Sequence, residues 1–484
     1  MGAKSIKRNY IYHVIYNILM IITPLVTAPY LSRVLEADGI GTASFVASIV
    51  NYFLLFADMG SGGCGQREIS YVRDDPYKLS QVFWEFQTLR LINVIICTVL
   101  YLLLTGIFAK ENHVIYLIFS LNIINSVLAI GWFLGGLEEF GQIIFRNIII
   151  RIIDITFVFL FVKTKSDLPL YLFGTTCFSI LGNIVTWTYL RPYVKRPDFK
   201  ALRPYRHLKT SFSFFVPSIA IQVYTVLDKS MLGFFTEGGF ENGYYEQSMK
   251  ISKLVLALIT SLSSVMVPRI AYLFGKNDRK QINDYMYESY RFTWFLGIPL
   301  CFGLIGVSDN FVPWFFGPGY DKVSGLLRIS SILIIAIGFG STTGGQYLVP
   351  TRRQHLLTLS VVIGAISNFC MNIILIRLFQ SYGAMYASVI AEITVSSVQL
   401  YVIRKELSIM KIIASSQNYL IAGTIMLSAV LFLNSKLTPS IIHTFVMVLT
   451  GAVIYFAVLL IMRDRFFINY SMKPIDYIKR KFRR

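Results

Sequence analysis

The chain has 484 residues, 55% of them hydrophobic, and 45 Lys and Arg against 26 Asp and Glu give a formal net charge of +19. So large an apolar share over this length excludes an ordinary soluble globular protein. The placement of the charge, set out below, argues against the nucleic-acid partner that +19 alone would suggest. A spanning helix needs about 20 mostly apolar residues. In chain order, fourteen stretches qualify, seven of them near 10–31, 39–58, 83–108, 114–137, 143–162, 168–190 and 211–236. The other seven lie near 243–268, 288–308, 323–349, 355–378, 383–403, 415–434 and 440–462. The first is longer than a signal-peptide core and carries Pro24 and Pro29, so it is expected to stay as a span. Gly60-Ser61-Gly62-Gly63-Cys64-Gly65 lacks the Gly-Lys-[Ser/Thr] ending of a phosphate loop and is expected to serve close helix packing or a hinge.

The most basic internal loop, 191–210, also holds Pro192, Pro197 and Pro204 and separates two groups of spans. The expected organisation is an N-terminal lobe over 1–190, this loop, a C-terminal lobe over 211–405, and a last pair of spans with a basic tail over 406–484. A faint internal echo supports duplication: Gly41 and Arg67 are 26 residues apart, as are Gly243 and Arg269, so both landmarks share an offset of 202. Parallel repeats of this kind place a cargo site at the repeat interface.

Alternate loops differ sharply in charge. One side holds Lys4, Lys7, Arg8, Arg67, Arg73, Lys78, the 191–210 cluster, Arg269, Lys276, Arg279, Lys280, Arg352, Arg353, Arg404, Lys405, Lys411 and the tail. The other holds only Arg33, Lys110, Lys163, Lys165 and Lys436, with Lys322 and Arg377 near span ends. Positive loops stay inside, so both termini are expected to be cytoplasmic, and the run from Lys479 to Arg484 is expected to rest on anionic lipid headgroups. The five cysteines and five histidines are scattered without ligand spacing, and neither a metal nor a cofactor is expected.

An Arg or Lys at the centre of a span costs about 2.5–3.5 kcal/mol on insertion scales, so such residues usually face a bundle interior or a wet cavity. At a rise of about 1.5 Å per residue, Arg151 and Lys253 fall near the midplane. Lys250 and Lys253 share a helix face. Arg90 and Arg146 lie nearer the inner edge and Arg328 nearer the outer one. Each has two readings open, lining a cavity for an anionic cargo or snorkelling and pairing locally, and Asp154 one turn from Arg151 supplies such a local partner. Among span carboxylates, Asp228 is expected to neutralise its neighbour Lys229. Glu392, Asp154 and Asp228 are the candidates for coupling to H⁺ or Na⁺.

Several local signatures resemble those of bacterial polysaccharide flippases, the O-antigen and capsule repeat-unit exporters of the multidrug/oligosaccharidyl-lipid/polysaccharide exporter superfamily. They are Thr27-Ala28-Pro29-Tyr30-Leu31-Ser32-Arg33-Val34-Leu35 with Gly39-Ile40-Gly41, Gly131-Trp132-Phe133 with Gly136-Leu137-Glu138, and Leu227-Asp228-Lys229-Ser230-Met231-Leu232-Gly233. Gly243-Tyr244-Tyr245, Val267-Pro268-Arg269-Ile270, Phe316-Gly317 with Tyr320, Gln346 with Pro350, Asn368 with Asn372, and Tyr382-Gly383-Ala384 complete the set. The resemblance covers nearly the whole chain. It implies an all-α bundle of fourteen spans in two pseudo-symmetric lobes around a cationic cavity, moving a polyprenyl-diphosphate-linked oligosaccharide to the outer leaflet on an ion gradient. Arg151, Lys250 and Lys253 would hold the diphosphate, with Arg90, Arg146 and Arg328 as further cavity cations. Implied partners are the lipid-linked glycan, polysaccharide polymerase and chain-length machinery. A drug exporter of the same superfamily would favour an acidic cavity. A polymerase would need a large loop, for which 309–321 is too short.

Overall fold

The computed structural model describes residues 6–108, 112–196 and 200–469; the basic tail from 470 to 484, Lys4 and Lys110 lie outside the described residues. Long helices dominate because a backbone in hydrocarbon must satisfy its own hydrogen bonds. The first half of the chain forms α1 (Ile6–Asp58), α2 (Ser61–Val72), α3 (Pro76–Phe108), α4 (His113–Leu128), α5 (Gly131–Gly136), α6 (Phe140–Phe161), α7 (Leu168–Thr188) and α8 (Leu208–Phe235). There follow α9 (Phe240–Gly275), α10 (Arg279–Phe316), α11 (Asp321–Gly340), α12 (Gln354–Phe379), α13 (Ser381–Ile403), α14 (Ile409–Ala414), α15 (Gln417–Asn434) and α16 (Ile441–Ile461). A π-helical stretch, Ser341–Leu348, extends α11.

Among the described residues eleven helices are long and apolar enough to cross a membrane, against fourteen expected. Two of the three differences have a visible cause. The expected spans at 10–31 and 39–58 are two helices that meet at a kink at Glu36, where φ is 57°, and they are taken together here as α1. Helix α6 is long enough to cross but carries three charged residues, Arg146, Arg151 and Asp154, within 22 residues, more than an ordinary span holds. Large apolar side chains stand exposed along α3 (Ile95, Leu103, Ile107) and α16 (Ile442, Phe445, Val453, Ile461), as an acyl-chain surface requires. The protein is a multi-pass, all-helical membrane protein.

The chain resolves into two compact units, Met1–Glu246 and Gln247–Arg484. The seam lies beyond the 191–210 loop expected to part the lobes, and the first unit shows why. Helix α8 packs along α1 and α2. The loop itself is fastened to α3, where the indole N–H of Trp84 donates to the Lys195 carbonyl at 2.9 Å. Wholly buried Glu85 meets Arg206 at 2.6 Å and His207 at 2.8 Å. The start of α9 crosses the second half of α1 backbone to backbone: a Cβ on Gly41 would sit 1.6 Å from the Gly239 carbonyl oxygen, and one on Gly243 1.9 Å from that of Ala37. These are the two glycines of the 202-residue echo. One turn on, Ser44 donates to Glu246 at 2.9 Å, again 202 residues away. Equivalent positions meeting each other is the geometry of a local two-fold crossing. The glycine-rich run closes a tight contact rather than a nucleotide loop, since a Cβ on Gly60 would lie 2.4 Å from the Ser211 carbonyl oxygen.

In the second unit α10 packs on α11, α15 and α16, and α12 on α13. Hydroxyl pairs stitch neighbouring helices: Ser252 with Ser330 at 2.7 Å, Ser263 with Ser341 at 2.9 Å and Tyr290 with Thr343 at 2.7 Å. Small polar residues at helix interfaces do this work where water is absent.

Candidate functional site in the first unit

Helix α6 lays Arg146, Asn147, Ile150, Arg151 and Asp154 along one side, the i, i+4 and i+3 spacings of a single face. Opposite stand Thr175, Ser179, Gly182 and Asn183 of α7, and with Met20 of α1 they enclose a pocket of about 300 Å³. The pocket's lining therefore holds two guanidinium groups and one carboxylate. Arg151 Nη1 lies 3.1 Å from Asp154 Oδ2. Arg146 Nη1 donates to Asn183 Oδ1 at 2.8 Å, and its stem passes Gly182, where a Cβ would come within 3.4 Å of Arg146 Cδ. The polar track continues inward: Asn183 donates to Asn125 Oδ1 at 2.9 Å, and Asn125 donates to Ser179 Oγ at 2.9 Å. Asn147, Asn125, Ser179 and Asn183 were not singled out from sequence, although Asn122 with Asn125 and Ser179 with Asn183 carry the signal of polar residues one turn apart inside an apolar span. Among the described residues, Arg151 Nε and Asp154 Oδ1 are buried without a hydrogen-bond partner. A phosphate oxygen or a proton could complete them. Guanidinium forks match phosphate oxygens in geometry as well as charge.

Arg90 has other work. It is buried, its Nη2 donates to the Ser126 carbonyl at 2.7 Å, and its Nη1 lies 3.7 Å from Asp58. Gln87 and Trp187 take the next two carbonyls, Val127 at 2.7 Å and Leu128 at 3.0 Å. These three side chains satisfy the last carbonyls of α4, and a cation suits that negative helix end. Arg328 bonds Asp309, and its Nε donates to Ser308 Oγ at 3.2 Å, so it ties α11 to α10. Lys250, half-buried, and Lys253, exposed, share a face of α9, and half-buried Glu392 lies on α13. None of these lines the α6–α7 pocket.

One expectation is corrected. Asp228 does not neutralise Lys229: Tyr245 donates to the buried Asp228 carboxylate at 2.6 Å, and Lys229 pairs with Glu246 at 2.5 Å. Adjacent helical residues point about 100° apart, so sequence neighbours rarely make such a pair. A larger cavity of about 970 Å³ opens between the second half of α1, the start of α4, the turn at 165–169 before and into α7, and the end of α8. Its Lys165 is already matched by Glu36 at 3.0 Å and Asp38 at 3.5 Å, so size alone does not make it an anion site.

Similarity to solved structures shows which fold this is. A lipid II flippase MurJ in an inward closed conformation aligns with a TM-score of 0.71 at 19% identity, over 94% of this chain and 99% of the other. An inward-facing multidrug resistance MATE family transporter of the MOP superfamily aligns at 0.56 and 13%, over 82% and 99%. The architecture is thus that of the MOP-superfamily transporters. Residues 6–274 match the family described as polysaccharide biosynthesis protein, and the chain belongs to that family. Among its relatives, an Escherichia coli K12 protein named "Putative O-antigen transporter" is 22% identical over 83% of this chain and 97% of its own length. A Haloferax volcanii protein named "Probable low-salt glycan biosynthesis flippase Agl15" is 22% identical over 89% and 91%.

Proposed function

We propose that this chain carries a polyprenyl-diphosphate-linked oligosaccharide repeat unit from the inner to the outer leaflet of a bacterial cytoplasmic membrane, by alternating access and with an H⁺ or Na⁺ gradient as its drive. It catalyses no bond-breaking step in this proposal. The observation that carries it is the pair Arg146 and Arg151 lining one pocket between α6 and α7 in a polysaccharide biosynthesis family member. A lipid-linked glycan meets two barriers in crossing: its hydroxyls lose water and its diphosphate carries charge into hydrocarbon. Charge-assisted hydrogen bonds from guanidinium offset the second, while the prenyl tail stays in lipid. Lys250 and Lys253 supply a further cationic pair on α9. Of the three carboxylates that could couple an ion, Asp154 is the best placed, because its protonation would release Arg151 to phosphate. Asp228 and Glu392 are the alternatives. Polymerase and chain-length proteins would receive the product outside.

Complementation of a flippase-null strain tests this. Each charge-assisted bond contributes about 2 kcal/mol, so R146Q/R151Q should cut surface polysaccharide at least tenfold at equal expression, with lipid-linked repeat units accumulating inside. R146K/R151K should retain part of the activity. Undiminished polysaccharide from the Gln pair would overturn the assignment, and K250Q/K253Q in the same assay decides the role of the lysine pair.

A further inference from the structure

A second charged cleft, of about 280 Å³, lies wholly in the second unit, where α10, α14 and the segment after α16 meet. Its floor is rigid. Arg291 is held by Tyr419 at 2.8 Å and by buried Asp464 at 2.9 Å. Asp464 also accepts from Asn418 at 3.0 Å and from the Phe467 N–H at 2.9 Å. The rim differs in character. Lys411 lies with its ammonium 4.1 Å over the Tyr287 ring. Among the described residues neither Lys411 nor Arg465 has a carboxylate partner, and Glu288 is the one acid lining the cleft. Ser415 and Asn469 add neutral hydrogen-bonding groups.

The surroundings say which phosphate belongs there. Lys411 sits on α14, and on that short helix Met410 is 75% exposed and Ile413 52% exposed, while Ile412 is buried. A charged rim thus adjoins bare apolar side chains, which a free anion would not use but acyl chains would cover. The side is the one rich in Lys and Arg, and anionic lipid headgroups attract such residues. We propose that this cleft is a headgroup site for an anionic phospholipid, with the phosphate diester between Lys411 and Arg465 and the acyl chains running past Met410 and Ile413. The site shares no residue with the α6–α7 pocket, so its failure and that of the transport proposal are separable.

Native mass spectrometry of the full chain in detergent, titrated with phosphatidylglycerol, phosphatidylcholine or inorganic phosphate, provides the test. Each cation near an anionic headgroup contributes roughly a factor of five, so K411Q/R465Q should bind phosphatidylglycerol about 25-fold more weakly. K411R/R465K should bind as the wild type does, and K280Q/R404Q, which removes two charges of the same side outside the cleft, should change little. Equal retention by K411Q/R465Q at an unchanged melting temperature overturns the proposal. So does equal binding of phosphatidylcholine, or displacement of the lipid by equimolar inorganic phosphate, which would mark a free-anion site.

Discussion

At the scale of single residues, burial decides what a charge can do. Glu85 is completely buried, yet Arg206, His207, the Gln81 amide and the Arg203 N–H all converge on it. Removing one member of a buried ionic cluster strands the others, typically for about 3 kcal/mol or more. E85A should therefore lower the melting temperature in detergent and expose the 191–207 segment to protease, whereas R196Q, nearby but outside the cluster, should do neither; equal protease resistance in E85A would show that the latch contributes nothing. Arg90 makes the same point about legibility. Its depth in a span was readable from sequence, but its partners were not, because the carbonyls at the end of α4 carry no sequence signature and Asp58 lies 32 positions away. Asp154 beside Arg151 was legible because i, i+3 neighbours on one helix need no tertiary knowledge. Asn183 and Asn125 needed the packing of α4, α6 and α7 before they meant anything.

Elements report their close approaches through glycine. The sequence echo marked Gly41 and Gly243 as equivalent, and only the fold shows that they touch. G243A should lose about 2 kcal/mol or more by overpacking at the Ala37 carbonyl, read as a lower melting temperature, while G275A, whose new Cβ would meet nothing within 4 Å, should be neutral. The junction of α12 with the end of α13 is held differently. Arg353 approaches Glu406 through two nitrogens at 2.6 and 3.0 Å, and the Tyr347 hydroxyl donates to the same carboxylate. Burial works to raise the Glu406 carboxyl, but the hydrogen bonds of Arg353 and Tyr347, with the charges of Arg353 and Arg279, outweigh it and hold the group below its ordinary value. A depressed acid stabilises the fold above its unfolded pKa, about 4.3 for Glu, and that contribution fades as pH falls through the lower folded value. Melting curves between pH 7 and pH 3 should thus show wild type converging on E406Q in acid; parallel curves would rule the linkage out. Most element positions were legible from apolar run length alone. The break in α1 falls between the expected spans at 10–31 and 39–58, although nothing local singles out Glu36 as the residue that takes the left-handed φ.

For the whole molecule the readable quantity was the bias of Lys and Arg between alternate loops, and it makes a directional claim that the helices can test. Ser166 and Lys280 are both exposed, and α7, α8 and α9 lie between them, an odd number of crossings if each helix spans. They must then face opposite sides whichever way the protein inserts. The basic loops choose between the two orientations by placing Lys280 in the cytoplasm. In a chain whose native cysteines, Cys64, Cys97, Cys177, Cys301 and Cys370, are replaced by alanine, S166C in intact cells should react with a membrane-impermeant maleimide, and K280C should react only after permeabilisation. The reverse pattern would invert the topology while leaving the spans intact. Labelling of both from outside would mean that one of the three helices fails to cross. Cytoplasmic placement of Lys280 would also put the Lys411 cleft on the leaflet that faces the same basic loops, because α10, α11, α12 and α13 make an even number of crossings between them.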